Sequence, residues 1–201
     1  MSDLKEEDLP KIREDLEVAR QRGDMKTQVL LLSAIGRIHS QKKELNHAID
    51  VYNEAYKLIE QMGDIVSLEA VLSSLGTLYD ENGNLDQAIK AYEKAAEYAE
   101  KQGNLARILF SLSRVGRIYY VREQYDLALN NQQKLLKISE KRGDITEIAA
   151  GHNNIANTFY ALKNKKKAIK EMKKSIDLFK KAGNMDLVSR FEGILEQWKK
   201  E

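Results

Sequence analysis

Residues 63–102, GDIVSLEAVLSSLGTLYDENGNLDQAIKAYEKAAEYAEKQ, form one unit of a repeat that runs along the chain. Each unit opens with Gly-Asp or Gly-Asn. This dipeptide returns every 40 residues with no insertion or deletion, at positions 23–24, 63–64, 103–104, 143–144 and 183–184. Self-similarity at a period of about 20–50 residues is the signature of a repeat architecture.

Each unit contains two stretches with the apolar spacing of a helix. In residues 63–102 the first stretch carries Leu72, Leu75 and Tyr79, and the second carries Ala88 and Tyr92. Spacings of three and four residues place each set on one helical face. The glycine that opens a unit can adopt the left-handed conformation that ends a helix, and the following Asp or Asn caps the next helix.

The repeat predicts an all-α fold of about ten antiparallel helices that form a single solenoid over residues 1–201. Four repeats are predicted at 23–62, 63–102, 103–142 and 143–182, with an N-terminal capping helix at 8–22 and a C-terminal capping helix at 183–201. Two columns of small residues are expected to face each other and let the paired helices approach closely. These columns are Gly36, Gly76, Gly116 and Ala156, and Ala48, Ala88, Ala128 and Ala168.

The unit resembles the tetratricopeptide repeat family. The resemblance is carried by Leu72, Leu75-Gly76, Tyr79, Ala88, Tyr92 and Ala95. The period of 40 residues is similar to the long repeats of kinesin light chain and of the spindle-orientation scaffold LGN (Pins). The resemblance implies a right-handed α-α superhelix whose first helices line a concave, peptide-binding groove. The last two repeats depart from the family pattern at Gln132, Leu135, Met172 and Ser175.

Several functional classes lack support in the sequence. The absence of cysteine excludes zinc-thiolate sites and cysteine nucleophiles. We find no phosphate-binding loop and no metal-spaced histidine pair, and His39, His47 and His152 are expected to be structural. We therefore predict no enzymatic activity, no cofactor and no metal site.

The N-terminus lacks an apolar run and no stretch is long enough for a membrane helix, so a cytoplasmic protein without membrane contact is predicted. Formal charge is uneven, at −5 for residues 63–102 and +5 for each of 103–142 and 143–182. The lysines of residues 163–174 are expected to form a solvated outer face, because few aromatic residues stand among them. Nucleic-acid binding is not predicted.

A second stripe lies beside the core stripe on each predicted first helix. We call it the first-helix stripe, and none of its sixteen positions is Lys or Glu although the chain has 23 lysines. A face that was merely solvated would look different in so lysine-rich a chain. Its residues are Leu30, Ser33, Arg37, Ser40, Ala70, Ser73, Thr77, Asp80, Phe110, Ser113, Arg117, Tyr120, Ala150, Asn153, Asn157 and Tyr160.

The composition of this stripe suits an extended or partly helical peptide that carries acidic residues. Asparagines can bond peptide amides, arginines can hold carboxylates and aromatic rings can anchor apolar side chains. The predicted peptide-binding residues are Arg37, Ser73, Thr77, Phe110, Arg114, Arg117, Tyr120, Asn153, Asn154, Asn157 and Tyr160. Two alternatives stay open: these residues fill contacts between units, or the chain self-associates weakly through its end helices, with acidic and basic sections meeting.

Overall fold

The computed structural model describes residues 5–200, and the ordered elements in this range are all helical. A 3-10 turn at Glu6–Asp8 precedes ten α-helices. These are α1 (Leu9–Gln21), α2 (Met25–Gln41), α3 (Leu45–Met62), α4 (Ile65–Glu81), α5 (Leu85–Lys101), α6 (Leu105–Val121), α7 (Tyr125–Arg142), α8 (Ile145–Ala161), α9 (Lys165–Lys181) and α10 (Met185–Lys200). The all-α prediction is confirmed. Within residues 5–200, no helix is both long and apolar enough to cross a membrane.

The chain divides into two compact units, Met1–Asn104 with α1–α5 and Leu105–Glu201 with α6–α10. Helices α2/α3 and α4/α5 form consecutive hairpins in the first unit, and α6/α7 and α8/α9 do so in the second. Helices α1 and α10 pack as single helices against α2 and α9. The assignment of residues 1–201 to one solenoid stays a prediction.

The repeating dipeptide performs the capping role that its sequence predicts at its five glycines and at its three aspartates. All five glycines have φ between 65° and 77°, the left-handed region that is costly for residues with a Cβ atom. Asp24, Asp64 and Asp144 then accept hydrogen bonds from backbone N–H groups in the first turn of the next helix. One dipeptide therefore ends a repeat and starts its successor.

The core of the first unit pairs a glycine of the first helix with a tyrosine of the second. A Cβ atom on Gly36 would lie 2.7 Å from Tyr52 Cε2, and one on Gly76 would lie 2.7 Å from Tyr92 Cδ1. The closest approach of the glycine column at these two repeats is thus to tyrosine rings, and the facing of the glycine and alanine columns stays a prediction. The alanines are fully buried, but the absent glycine side chains make room for an aromatic ring four residues further along the second helix.

The core of the second unit contains more buried polar residues than that of the first unit, and aromatic residues of α10 pack at its end. Ser175 donates a hydrogen bond to the backbone oxygen of Ala149 at 2.8 Å, and both residues are buried. Trp198 of α10 stacks on the Tyr160 ring with centroids 4.3 Å apart and planes 7° apart. This stacking covers the end of α8, as expected for a capping helix.

A partly buried hydrogen-bonded cluster joins α8 and α9. His152 Nδ1 lies 2.7 Å from Glu171 Oε2, and Lys174 Nζ donates to Glu171 Oε1 at 2.9 Å. Burial alone would raise the pKa of Glu171, but the hydrogen bonds from Lys174 and His152 hold that pKa below its ordinary 4.5. The carboxylate therefore stabilises the folded state fully above pH 4.5, and the contribution is lost as pH falls through the lowered pKa.

We expect Glu171→Gln to be destabilising at neutral pH and the difference from wild type to shrink as the pH is lowered from about 6 to about 3. Urea unfolding at a series of pH values measures it. Glu192→Gln is the control, because the Glu192 carboxylate pairs with Lys180 at an exposed position where an ion pair contributes little. A Glu171→Gln deficit that stays constant across this pH range would contradict the assignment.

Candidate peptide-binding surface

None of the sixteen residues of the first-helix stripe is buried. Eight are exposed and eight are half-buried, and even Leu30 is 67% exposed. An aliphatic residue that filled a contact between repeats would be buried. Leu30 is exposed and therefore does not fill such a contact. The stripe is thus a surface in each unit, and each unit is described separately below.

In the second unit the stripe borders an open cavity of about 370 Å³ between α6, α7 and α8. Four predicted peptide-binding residues line it: Arg117, Tyr120, Asn154 and Asn157. Its other lining residues are Ser113, Gly116, Gln132 and Leu135. A guanidinium, a phenol and two carboxamides therefore converge on one cavity that also has an apolar wall.

The lining of this cavity differs from the first two repeats, because the third repeat lacks the aromatic residue of its second helix. Tyr52 and Tyr92 fill the space beside Gly36 and Gly76 in the first two repeats. At the corresponding position the third repeat has Gln132, whose side-chain oxygen accepts a hydrogen bond from Thr158 Oγ1 at 2.8 Å. The sequence analysis noted Gln132 and Leu135 only as departures from the family pattern. Those departures were the available signal for the different lining of the cavity.

Unsatisfied polar groups are found near this cavity as well. Among the described residues, Asn131 Oδ1 and Asn153 Oδ1 are buried and accept no hydrogen bond. The Asn131 oxygen lies 2.7 Å from the position that a Cβ atom on Gly116 would occupy. Buried acceptors without partners are rare in folded proteins. Asn153 was a predicted peptide-binding residue, whereas Asn131 was missed.

The remaining predicted residues of the second unit have other surroundings. Phe110 is 41% exposed, and the Arg114 guanidinium stands over its ring at 5.1 Å. This cation–π pair on α6 orients both side chains at the surface. Tyr160 is half-buried against Trp198. Arg114, Phe110 and Tyr160 are therefore not among the residues that line the cavity.

In the first unit, Arg37 and Thr77 line an open cavity of about 320 Å³ together with Tyr52. Thr77 Oγ1 donates to the backbone oxygen of Ser73 at 3.1 Å and lies 3.0 Å from the Tyr92 hydroxyl. Burial raises the pKa of the Tyr52 phenol, and the nearby Arg37 charge opposes this shift. The phenol is consequently neutral at physiological pH.

Comparison with known proteins agrees with this architecture. Tetratricopeptide repeat models match residues 31–62, 67–141 and 104–181, which is more than half of the chain. The chain belongs to the tetratricopeptide repeat (TPR) family. The TPR assignment confirms the resemblance that the sequence shows at Leu75-Gly76, Tyr79, Ala88 and Tyr92.

Solved TPR structures share the fold at low sequence identity. The apo form of RapI gives a TM-score of 0.81 with 18% identity over 92% of this chain, and this chain spans about half of RapI, 52% of its length. A kinesin-light-chain-type protein of Podospora anserina with nearly identical TPR-like repeats gives 0.69 and 14% identity, covering 88% of this chain and 87% of that one. Aspartyl phosphate phosphatase F from Bacillus subtilis gives a TM-score of 0.62 with 14% sequence identity. The match covers 96% of this chain and 55% of the phosphatase.

A search of curated protein sequences gave no significant match. At these identities the structural likeness establishes the fold of the TPR chain, and function has to be argued from its own residues.

Proposed function

We propose that this TPR chain is a protein-interaction module, without enzymatic activity, whose second unit binds an extended segment of a partner protein that carries acidic residues. The convergence of Arg117, Tyr120, Asn154 and Asn157 on one open cavity is the observation that supports the proposal most strongly. An arginine can bind a carboxylate through two parallel N–H···O bonds, and an asparagine carboxamide can both donate to and accept from a peptide group.

The charge of this part of the chain favours the same kind of partner. Residues 103–182 contain seventeen basic and seven acidic side chains. A basic surface steers acidic segments toward the site and raises their association rate, an effect that weakens with added salt. The apolar wall beside Leu135 and the exposed ring of Phe110 provide contact area for apolar residues that flank the acidic ones.

Binding is tested with a panel of fluorescent random-sequence dodecapeptides that differ in their Asp and Glu content. We expect acidic peptides to bind more tightly than neutral ones. The charge reversal Arg117→Glu should weaken their binding at least about tenfold, because it removes a carboxylate partner and adds a repulsive charge. Asn157→Ala, which removes a donor and an acceptor, should cost about three- to tenfold.

Arg190→Glu is the matched control for these variants. It changes the net charge of the same unit by the same amount, but Arg190 is an exposed residue of α10 outside the stripe. Equal weakening by Arg117→Glu and Arg190→Glu would show that net charge alone attracts the peptide, and the proposed site would fall. If the acidic peptides bound no more tightly than the neutral ones, the proposal of an acidic partner would be refuted. The triple variant Arg114→Glu/Arg117→Glu/Asn157→Ala should abolish binding while retaining its helical circular dichroism.

A further inference from the structure

The turn between α2 and α3 brings two imidazoles and a carboxylate together. His39 is near the end of α2, Glu44 immediately precedes α3 and His47 is in the first turn of α3. One potential ligand atom from each side chain lies within 4.8 Å of the other two. His39 Nδ1 is 2.5 Å from Glu44 Oε2, and the two imidazole centroids are 5.4 Å apart.

Backbone hydrogen bonds hold the chain segments that carry the three side chains in a defined turn. The Glu44 N–H donates to the carbonyl oxygen of His39 at 2.9 Å, and the Ala48 N–H donates to that of Glu44 at 3.0 Å. His39 is buried, Glu44 is half-buried and His47 is exposed. The cluster therefore has one anchored member inside the hairpin and one member that solvent reaches.

The other three hairpins of the chain carry different residues at these positions. His39 occupies the aromatic column of the repeat, and Glu44 leads into α3 without capping it through its side chain. The equivalent residues are Tyr79, Asn84 and Gln87 in the second repeat, Tyr119, Gln124 and Leu127 in the third, and Phe159, Asn164 and Lys167 in the fourth. Since those hairpins also form, helix packing alone does not call for two histidines and a glutamate here.

We propose that His39, Glu44 and His47 bind a zinc ion. Two imidazole nitrogens and a carboxylate oxygen are a common zinc ligand set, whereas Mg²⁺ and Ca²⁺ prefer oxygen ligands alone. Zinc bonds of about 2.0–2.1 Å place tetrahedral ligand atoms about 3.3 Å apart. The cluster therefore needs side-chain adjustments of about 1.5 Å or less, which rotations of the exposed His47 and of Glu44 can supply.

The surroundings leave room for a fourth ligand and also contain cations that oppose zinc binding. An open cavity of about 310 Å³ adjoins both histidines, and Arg13 and Arg20 line it as well. Water can complete the coordination there. Lys42 Nζ lies 2.9 Å from Glu44 Oε1, so it competes with a cation for this carboxylate. Bound zinc would connect the end of α2 to the start of α3. The site is separate from the peptide-binding surface proposed for the second unit.

Isothermal titration of the chain, prepared without a histidine tag, with zinc chloride tests the proposal. We expect one zinc ion per chain and no comparable binding of magnesium. His47→Gln and His39→Phe should each weaken zinc binding at least about tenfold. Phe159 occupies the column of His39 in the fourth repeat, so the repeat accommodates phenylalanine there. Cobalt substitution should give the absorption bands of a tetrahedral site.

Two further variants separate this cluster from adventitious binding to histidine. His152→Leu removes the third histidine and places there the residue that the other repeats have at Leu32, Leu72 and Leu112. It should leave zinc affinity unchanged. Lys42→Met should strengthen binding several-fold, because it frees Glu44 and removes a positive charge. Several weak sites instead of one, or wild-type affinity in His47→Gln, would overturn the proposal.

Discussion

Tyr92→Ala is expected to lower the free energy of unfolding by about 3–5 kcal/mol, as is typical when a large aromatic side chain is removed from a core. The Tyr92 side chain is 0% exposed and its ring packs on Gly76. The adjacent helix offers only a glycine at this point, so no side chain is available to fill the space. The variant also loses the contact between the Tyr92 hydroxyl and Thr77 Oγ1. Urea unfolding followed by circular dichroism measures the change.

Gln132→Ala is the matched comparison, since Gln132 occupies the same column of the repeat. Its side chain borders a cavity that is already open and makes a buried hydrogen bond to Thr158. The expected loss is about 0.5–1.5 kcal/mol, the usual net contribution of one hydrogen bond, because the Thr158 hydroxyl can still donate to the Asn154 carbonyl oxygen at 3.1 Å. If Tyr92→Ala cost no more than Gln132→Ala, the ring would not be the element that joins the two helices of the second repeat.

The second large effect is expected for Gly76→Val, at about 3 kcal/mol or more. Even the Cβ atom would lie within 2.9 Å of three carbon atoms of the Tyr92 ring, and this ring is fully buried. The helices would have to separate, which is costly in a close-packed core. The measurement is again the free energy of unfolding from urea titration.

Two other glycines serve as controls for Gly76→Val. At Gly116 the nearest atom is the Oδ1 of Asn131, the end of a side chain that can rotate away. Gly116→Val should therefore cost less than about 1.5 kcal/mol. At Gly193, in α10, no atom lies within 4 Å of the added Cβ, so Gly193→Val should be within about 0.5 kcal/mol of wild type. Equal losses at the three positions would show that the Tyr92 contact is not the cause, since helix propensity by itself favours valine over glycine.

The candidate site was only partly predictable from residue types. Helical periodicity places the sixteen positions of the first-helix stripe on one face of each first helix, and none of these residues is buried. Their role in binding stays a prediction. The stripe could not show which members share a cavity. Arg117, Tyr120, Asn154 and Asn157 line one together, whereas Tyr160 stacks on Trp198. These contacts depend on the second helices and on α10.

The helical repeat, its period and the capping of its helices were predictable from the residues alone, because they follow from local backbone preferences and apolar spacing. What each small residue contacts, which side chains line each cavity and which histidines meet were not predictable before the helices had packed. Such outcomes depend on side-chain volumes contributed by several helices, so they arise only when the helices pack. Gly76 and Gly116 illustrate this: both are glycines of one column, yet one packs on a tyrosine ring and the other borders an open cavity.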